Sequence, residues 1–309
     1  MNRRSFTQSA AAAALAAAVP ELPAIPRAGS LSRQAAQSAS AAGEPFPLSV
    51  MLWTVFNNLP FESRLEKVAE AGYTNVELVG EYGKWSAGDF AGANAARKRL
   101  GLNFDATAGL PHGIADPAAR DAFLDDFRAA LTPMETLSCP AMIVLSGNVV
   151  AGLSRQAQHE SCIEGLKRAA EIVEGRAIAG QPVRLLLECI DPEENPKYYL
   201  TSAAEAIEIV RKVDHPQVRF LYDIFHEQIG HGNLIEKLEK NIDVISLIHV
   251  ADVPGRHDPG TGEINYNNIF RKLVELKYKG YMAMEFKPLG DQVTALKTAR
   301  EAVRKAAAV

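Results

Sequence analysis

Four side chains able to hold a divalent ion stand where short apolar runs end: Glu188 closing VRLLLE, Asp223 closing VRFLYD, His249 closing VISLIH and Glu285 closing YMAME. They lie 35, 26 and 36 residues apart. Each interval is about the length of one strand plus the helix that carries the chain back to the next parallel strand. A closed parallel barrel gathers such strand ends on one rim, so ligand-type residues remote in sequence converge there. Two Glu, one Asp and one His make a hard, oxygen-rich set suited to Mn²⁺ or Mg²⁺.

The elements that must position them are legible from Pro47 onward. Strand-like runs read LSVMLW (48–53), TNVELV (74–79), NFDATA (103–108), AMIVLS (141–146), VRLLLE (183–188), VRFLYD (218–223), VISLIH (244–249) and YMAME (281–285). Helical patterns lie between and after them, at 60–71, 89–100, 117–137, 155–179, 201–213, 233–241, 267–277 and 291–307. Gly72, Gly101, Gly180 and Gly280 follow four of these helices, where a C-cap glycine belongs. Strand–helix alternation repeated in this way predicts an α/β fold of the (β/α)₈ TIM-barrel type, a single domain over 44–309. A doubly wound sheet would be favoured by a G-x-G-x-x-G turn after a strand, and the sequence has none.

The 309 residues suffice for such a barrel, which uses about 250. A net charge of −4 gives no electrostatic case for nucleic acid or an anionic membrane. Cys139, Cys162 and Cys189 are too few and too scattered for a disulfide framework. Cys189 follows Glu188, so if one faces the lumen the other faces a helix. The N-terminus is of another kind. Met1-Asn2-Arg3-Arg4-Ser5-Phe6-Thr7 precedes an Ala-rich run from Ala10 to Val19 and a Pro/Ala/Ser/Gln stretch reaching Gly43. That order describes an export signal and linker over residues 1–43, and the paired arginines resemble the twin-arginine type. The protein is therefore expected to be exported and periplasmic, free of the membrane once the signal is cut after Ala24, Ala28 or Ala41.

Four segments together resemble the hydroxypyruvate isomerase group of the xylose-isomerase-like TIM barrels. They are Glu-Cys-Ile-Asp after strand five, Tyr-Asp-Ile-Phe-His after strand six, the segment from His249 to Tyr266 after strand seven, and Met-Glu-Phe after strand eight. The resemblance covers residues 46–305, and the long strand-seven segment is its most specific part. It implies that Glu188 and Glu285 are a catalytic pair that also ligates the metal, with Asp223 and His249 completing the shell. Moving a carbonyl along a carbon chain requires taking a proton from one carbon and giving it to the next, which two carboxylates can share. His226 and Arg256 match substrate-contacting positions of the group. The bacterial hydroxypyruvate isomerases carry Gln where this chain has His249, and His is more like the keto-sugar 3-epimerases.

Some positions leave alternatives open. Arg256 can grip a substrate carboxylate with its planar fork, or pair with Asp252 or Asp258 and merely brace its loop. Glu77, His112 and Trp53 fall near strand ends, where a pocket wall would be, and are expected to contact substrate. His257 and Glu263 either brace the strand-seven loop or serve a neighbouring subunit of a homo-oligomer. The leading reading is a metal-dependent isomerase of a small hydroxy-carbonyl compound. The runner-up is a keto-sugar epimerase, lyase or dehydratase using the same site. An endonuclease-IV-like repair enzyme would need three zinc ions and many histidines, and a non-catalytic sugar-binding barrel would lack a catalytic Glu.

Overall fold

The computed structural model describes residues 43–308. Among them, eight parallel strands close into a barrel: β1 (Leu48–Met51), β2 (Asn75–Val79), β3 (Asn103–Ala108), β4 (Ala141–Leu145), β5 (Arg184–Glu188), β6 (Val218–Asp223), β7 (Ile245–Val250) and β8 (Tyr281–Met284), with β8 paired back onto β1. The ring of helices is α1 (Phe61–Glu70), α2 (Ala87–Arg99), α3 (Arg120–Leu137), α4 (Arg155–Val173), α5 (Ala203–Val213), α6 (Ile224–Gly230), α7 (Leu234–Asn241), α8 (Tyr266–Glu275) and α9 (Gln292–Ala307). The (β/α)₈ expectation holds.

Alternation along each strand explains both the core and the site. On β5, Leu185 and Leu187 face the helices with Cys189 just beyond, while Leu186 points into the lumen. Lumen residues Met51, Ala106, Ala141, Ile143, Leu186, Leu221, Leu247 and Ala283 pack together. Burying a large aliphatic side chain is worth about 1.5–3 kcal/mol, so the parity of each strand is strongly fixed. That parity carries upward: two residues beyond Leu186, Leu221, Leu247 and Ala283 stand Glu188, Asp223, His249 and Glu285. All three cysteines are free and buried, and burial pushes the Cys189 thiol well above its ordinary range. They are core thiols.

The pairing of β2 with β3 slips by one residue. Val76 faces Phe104 and Glu77 faces Ala106, leaving Asp105 as the extra residue of a bulge. Such insertions re-aim a side chain, and Asp105 is buried.

Several boundaries differ from expectation. The first strand stops at Met51, because Leu52–Thr54 turns into a 3₁₀ helix. The fourth helix stops at Val173, and Ala177–Ile178 pairs with Gln181–Pro182 in a short antiparallel ribbon. Gly180, with φ of 78°, makes the turn of that ribbon and caps no helix. Gly280 is no C-cap either. A Cβ there would lie 2.3 Å from the Ser246 carbonyl oxygen, so close approach demands the glycine. Helix α6 is an additional element ahead of the expected 233–241 helix. Among the described residues no helix is long and apolar enough to cross a membrane. The export signal and its cleavage positions, in residues 1–42, lie outside the described residues.

Candidate active site

Glu188, Asp223, His249 and Glu285 converge at the C-terminal end of the barrel, each with a ligand atom within 4.8 Å of the others. That span suits opposite corners of a coordination sphere of about 2.0–2.3 Å radius. Local structure orients each one. Asp223 ends β6 and caps α6: its Oδ1 accepts from the Phe225 and His226 amides at 2.8 and 3.2 Å. The cap turns Oδ2 toward the centre, 3.8 Å from His249 Nδ1. Glu285 follows β8, and its Oε1 accepts from Trp53 Nε1 at 2.7 Å. Its Oε2 is thereby left 2.8 Å from His249 Nδ1 and 2.5 Å from Arg256 Nη2. Glu188 Oε1 approaches the same imidazole nitrogen at 3.6 Å.

The electrostatics separate the two glutamates. Burial raises the Glu188 carboxyl, and the nearby His249 only partly offsets this. Burial acts on Glu285 too, but the Arg256 and His249 charges outweigh it and hold that carboxyl well below the usual range. Two like groups with opposite tendencies suit a pair that divides acid and base roles.

The residues fit a divalent cation on an observation of their own. His249 Nδ1 is buried with no hydrogen-bond partner, and carboxylate oxygens of Glu188, Asp223 and Glu285 stand around it. A buried imidazole nitrogen without a hydrogen bond, amid three carboxylates, is a donor set that could hold a divalent ion.

Arg256 is drawn into this centre. Besides Glu285, it reaches Asp223 Oδ2 at 3.3 Å and Glu194 Oε2 at 3.0 Å, and lies over the rings of Phe225 and Trp53 at 4.8 and 5.4 Å. It pairs with neither Asp252 nor Asp258. His226 touches it, Nε2 lying 3.3 Å from Arg256 Nη1. Burial works against a charged His226, but the Asp223 charge and the Asp191 hydrogen bond overcome it and raise its pKa to about 9. At neutral pH the site therefore offers two adjacent cations.

The loop that presents Arg256 is built around Asp252. Its fully buried carboxylate accepts from the backbone amides of Val253, Gly260, Gly262 and Ile264 at 2.8–3.0 Å. Gly262 is needed there, since a Cβ would lie 2.1 Å from the Val253 carbonyl oxygen. His257 Nδ1 meets the Lys287 carbonyl and Glu263 takes a hydrogen bond from Gln228, so both brace the loop within the chain. Asp252→Ala would strand these amides and is expected to cost on the order of 3 kcal/mol. Thermal melting and limited proteolysis between 253 and 264 measure this. An unchanged Tm with a protease-resistant loop would contradict it.

Of the outlying candidates, Trp53 joins the site and two others do not. Glu77 is fully buried behind His249, with Oε2 2.9 Å from Nε2, on the side of the ring away from the other three residues. His112 is half exposed and held by Asp126 of α3 at 2.7 Å, with no contact to the cluster. Sequence reasoning missed Asp191, Glu194 and Phe225 as partners of His226 and Arg256. Asp191 and Phe225 stand inside the motifs Glu-Cys-Ile-Asp and Tyr-Asp-Ile-Phe-His, which was the available signal.

Residues 65–307 match the family model described as Xylose isomerase-like TIM barrel. The chain belongs to that family. Within it, the chain is 33% identical to 2-oxo-tetronate isomerase from Haemophilus influenzae over 79% of its own length and 95% of the relative's. It is 29% identical to hydroxypyruvate isomerase from Escherichia coli over 78% and 93% of the two chains. A solved structure titled AP endonuclease, family 2, from Brucella melitensis superposes with a TM-score of 0.72 at 29% identity, covering 82% of this chain and 96% of that one.

Proposed function

We propose that the protein is a metal-dependent isomerase of a short hydroxy-keto acid such as hydroxypyruvate or 2-oxo-tetronate, the compounds for which its relatives are named. The chain is an isomerase of small hydroxy-keto substrates. The observation that carries the reading is the convergence of Glu188 and Glu285 on the unpartnered nitrogen of His249. When bound by Glu188, Asp223, His249 and Glu285, Mn²⁺ or Mg²⁺ supplies Lewis-acid stabilisation of negative charge on adjacent substrate oxygens. Glu285, held ionised by Arg256, is suited to take the proton from the hydroxyl-bearing carbon. The released electron pair forms the carbon–carbon double bond of an enediolate. Glu188, with its raised carboxyl, is suited to give a proton to the neighbouring carbon, while the hydroxyl proton passes to the former carbonyl oxygen. Exchange of protons with solvent then returns Glu285 and Glu188 to their starting states. Arg256 and cationic His226 would orient a substrate carboxylate, and Trp53 holds Glu285 in place.

The test is a substrate panel run on the purified enzyme with Mn²⁺: hydroxypyruvate, 2-oxo-tetronate, trioses, keto-hexoses and 3-keto-glycosides. Turnover of a hydroxy-keto acid, abolished by a chelator and restored by Mn²⁺, supports the proposal. A specific observation favours a second reading, because His249 stands where the resemblance to keto-sugar 3-epimerases places His. Return of the proton to the same carbon would then invert it, and the same panel would give a product on the keto-hexose alone. A DNA-repair activity fits poorly with seven histidines and a net charge of −4.

The location proposed is the periplasm, reached by a twin-arginine signal in residues 1–43. Arg3→Lys with Arg4→Lys is expected to trap the protein in the cytoplasm, because these carriers read the guanidinium pair rather than its charge. Fractionation followed by immunoblotting measures it. Undiminished export of the double variant would point to a general secretory signal or to none.

A further inference from the structure

Among the described residues, the large apolar side chains left exposed are Val79, Leu145, Val149 and Leu289, at 38, 38, 53 and 64%. All four stand at the C-terminal face of the barrel. Val79 closes β2, Leu145 closes β4, Val149 follows β4 and Leu289 follows β8. Single exposed hydrophobics are ordinary when scattered, but a set gathered over one mouth marks a binding surface.

Two of the four face the lumen. On β4, Ala141 and Ile143 belong to the lumen cluster while Met142 and Val144 join the outer core, so Leu145 continues the inward side. It pairs with Glu188 in the register of β4 and β5, two residues above the pair Ile143 and Leu186. On β2, Val76 and Leu78 lie in the outer core and Glu77 reaches His249, so Val79 points inward above Glu77. Val79 pairs with Ala108, which packs on the lumen cluster, as Trp53 does. The upper lumen is thus ringed by Trp53, Val79, Ala108 and Leu145 on one arc, and by Glu188, Asp223, His249 and Glu285 on the other. The side chains of Val79, Ala108 and Leu145 can bond no hydroxyl, and the one donor of Trp53 is taken by Glu285.

We infer that this arc receives the substituent on the hydroxyl-bearing carbon of the substrate, and that this substituent is a short alkyl chain without hydroxyls. The inference rests on the keto-acid reading proposed above. With the carboxylate held by Arg256 and His226, and the oxygens of the two reacting carbons turned to the four converging residues, only that substituent remains to meet Val79 and Leu145. The substrate is then a 3-hydroxy-2-oxo acid with an alkyl tail, and the product the 2-hydroxy-3-oxo acid of the same chain. The tail takes no part in the proton transfers, so no further reactant is needed.

The experiment has a binding arm and a turnover arm, both on the Mn²⁺-loaded full chain. Calorimetry with pyruvate, 2-oxobutanoate, 2-oxopentanoate and 2-oxohexanoate should show affinity rising about threefold to fourfold for each methylene taken out of water. Leu145→Asn and Val79→Thr put polar groups on the wall at similar size, and should flatten that rise. Thermal melting establishes that each variant folds. In turnover, 3-hydroxy-2-oxohexanoate should exceed the 3,4,5,6-tetrahydroxy acid of equal length by about 10- to 100-fold in kcat/KM, since the wall leaves those hydroxyls unpaired.

A flat series in the native chain, or no binding of 2-oxohexanoate, overturns the inference. So does a rise that both variants leave unchanged, which would place the tail elsewhere. Self-association of the native chain that Leu145→Asn abolishes, joined to a flat series, would give the wall to a second copy and overturn it as well. The two readings fail separately. A rising series with no 3-hydroxy-2-oxo acid isomerised ends the keto-acid reading and leaves the apolar wall standing, whereas turnover of hydroxypyruvate with a flat series ends the wall alone.

Discussion

Glu285→Gln is expected to lower kcat by about 10²–10⁴-fold, and Glu188→Gln by a similar factor, the contribution of positioned acid–base catalysis. The structure says why so small a change should matter. Glu285 divides its oxygens between Trp53 Nε1 and the Arg256–His249 side of the site. A glutamine amide can keep the first contact. It would then set its NH₂ against the Arg256 guanidinium, and it cannot remove a proton from carbon. Glu188→Gln deletes the group whose raised carboxyl is suited to give a proton to the neighbouring carbon. The native enzyme run in deuterium oxide should place solvent deuterium on the product carbon, read by mass spectrometry, and each variant should slow that exchange with turnover. A variant that retains near-native kcat would end the two-glutamate mechanism.

Arg256→Lys is the second large effect. The guanidinium meets Glu285, Asp223 and Glu194 at once and packs against Phe225 and Trp53. A lysine ammonium can reach at most part of this set and cannot stack. Arg256→Met, which removes the charge as well, would cost about 3–5 kcal/mol because the carboxylates are left uncompensated, and the lysine variant should lose less than that. For a hydroxy-keto acid the lysine change should raise KM strongly, since the two-pronged carboxylate contact is lost. For a neutral keto-sugar the rise should be milder, as hydrogen bonds to hydroxyls rearrange more easily. Steady-state kinetics on hydroxypyruvate and on a keto-hexose, in both proteins, decide the matter. A real rate on the sugar with none on hydroxypyruvate would displace the keto-acid assignment.

The barrel was legible because its strands are apolar runs separated by helix-length intervals, and burial on both faces leaves them little freedom of register. The four converging residues were legible for a related reason. Each is a polar group ending an apolar strand, and the parity of that strand decides which way it points. What the sequence concealed was depth and partnership. Glu77 and Trp53 both stand near strand ends, yet one is sealed behind His249 while the other bonds Glu285. His112 follows β3 on a loop whose path toward Asp126 no local pattern dictates. The burial of Asp105 goes with a register slip between two strands, which neither strand announces alone.

The converging residues all come from β5, β6, β7 and β8, which are neighbours in the closed sheet. The opposite arc, β1 to β4, contributes Trp53 but none of the four, and β2 and β4 end in the exposed apolar residues Val79 and Leu145. The ring is thus divided into a half that carries the chemistry and a half that adds only Trp53 to it. Loops after β2, β3 and β4 can lengthen, shrink or change composition without touching Glu285 or its Trp53 partner. A descendant of this chain could reshape the pocket wall from those loops while Arg256 and His226 keep their places, and directed evolution would do well to begin its libraries there.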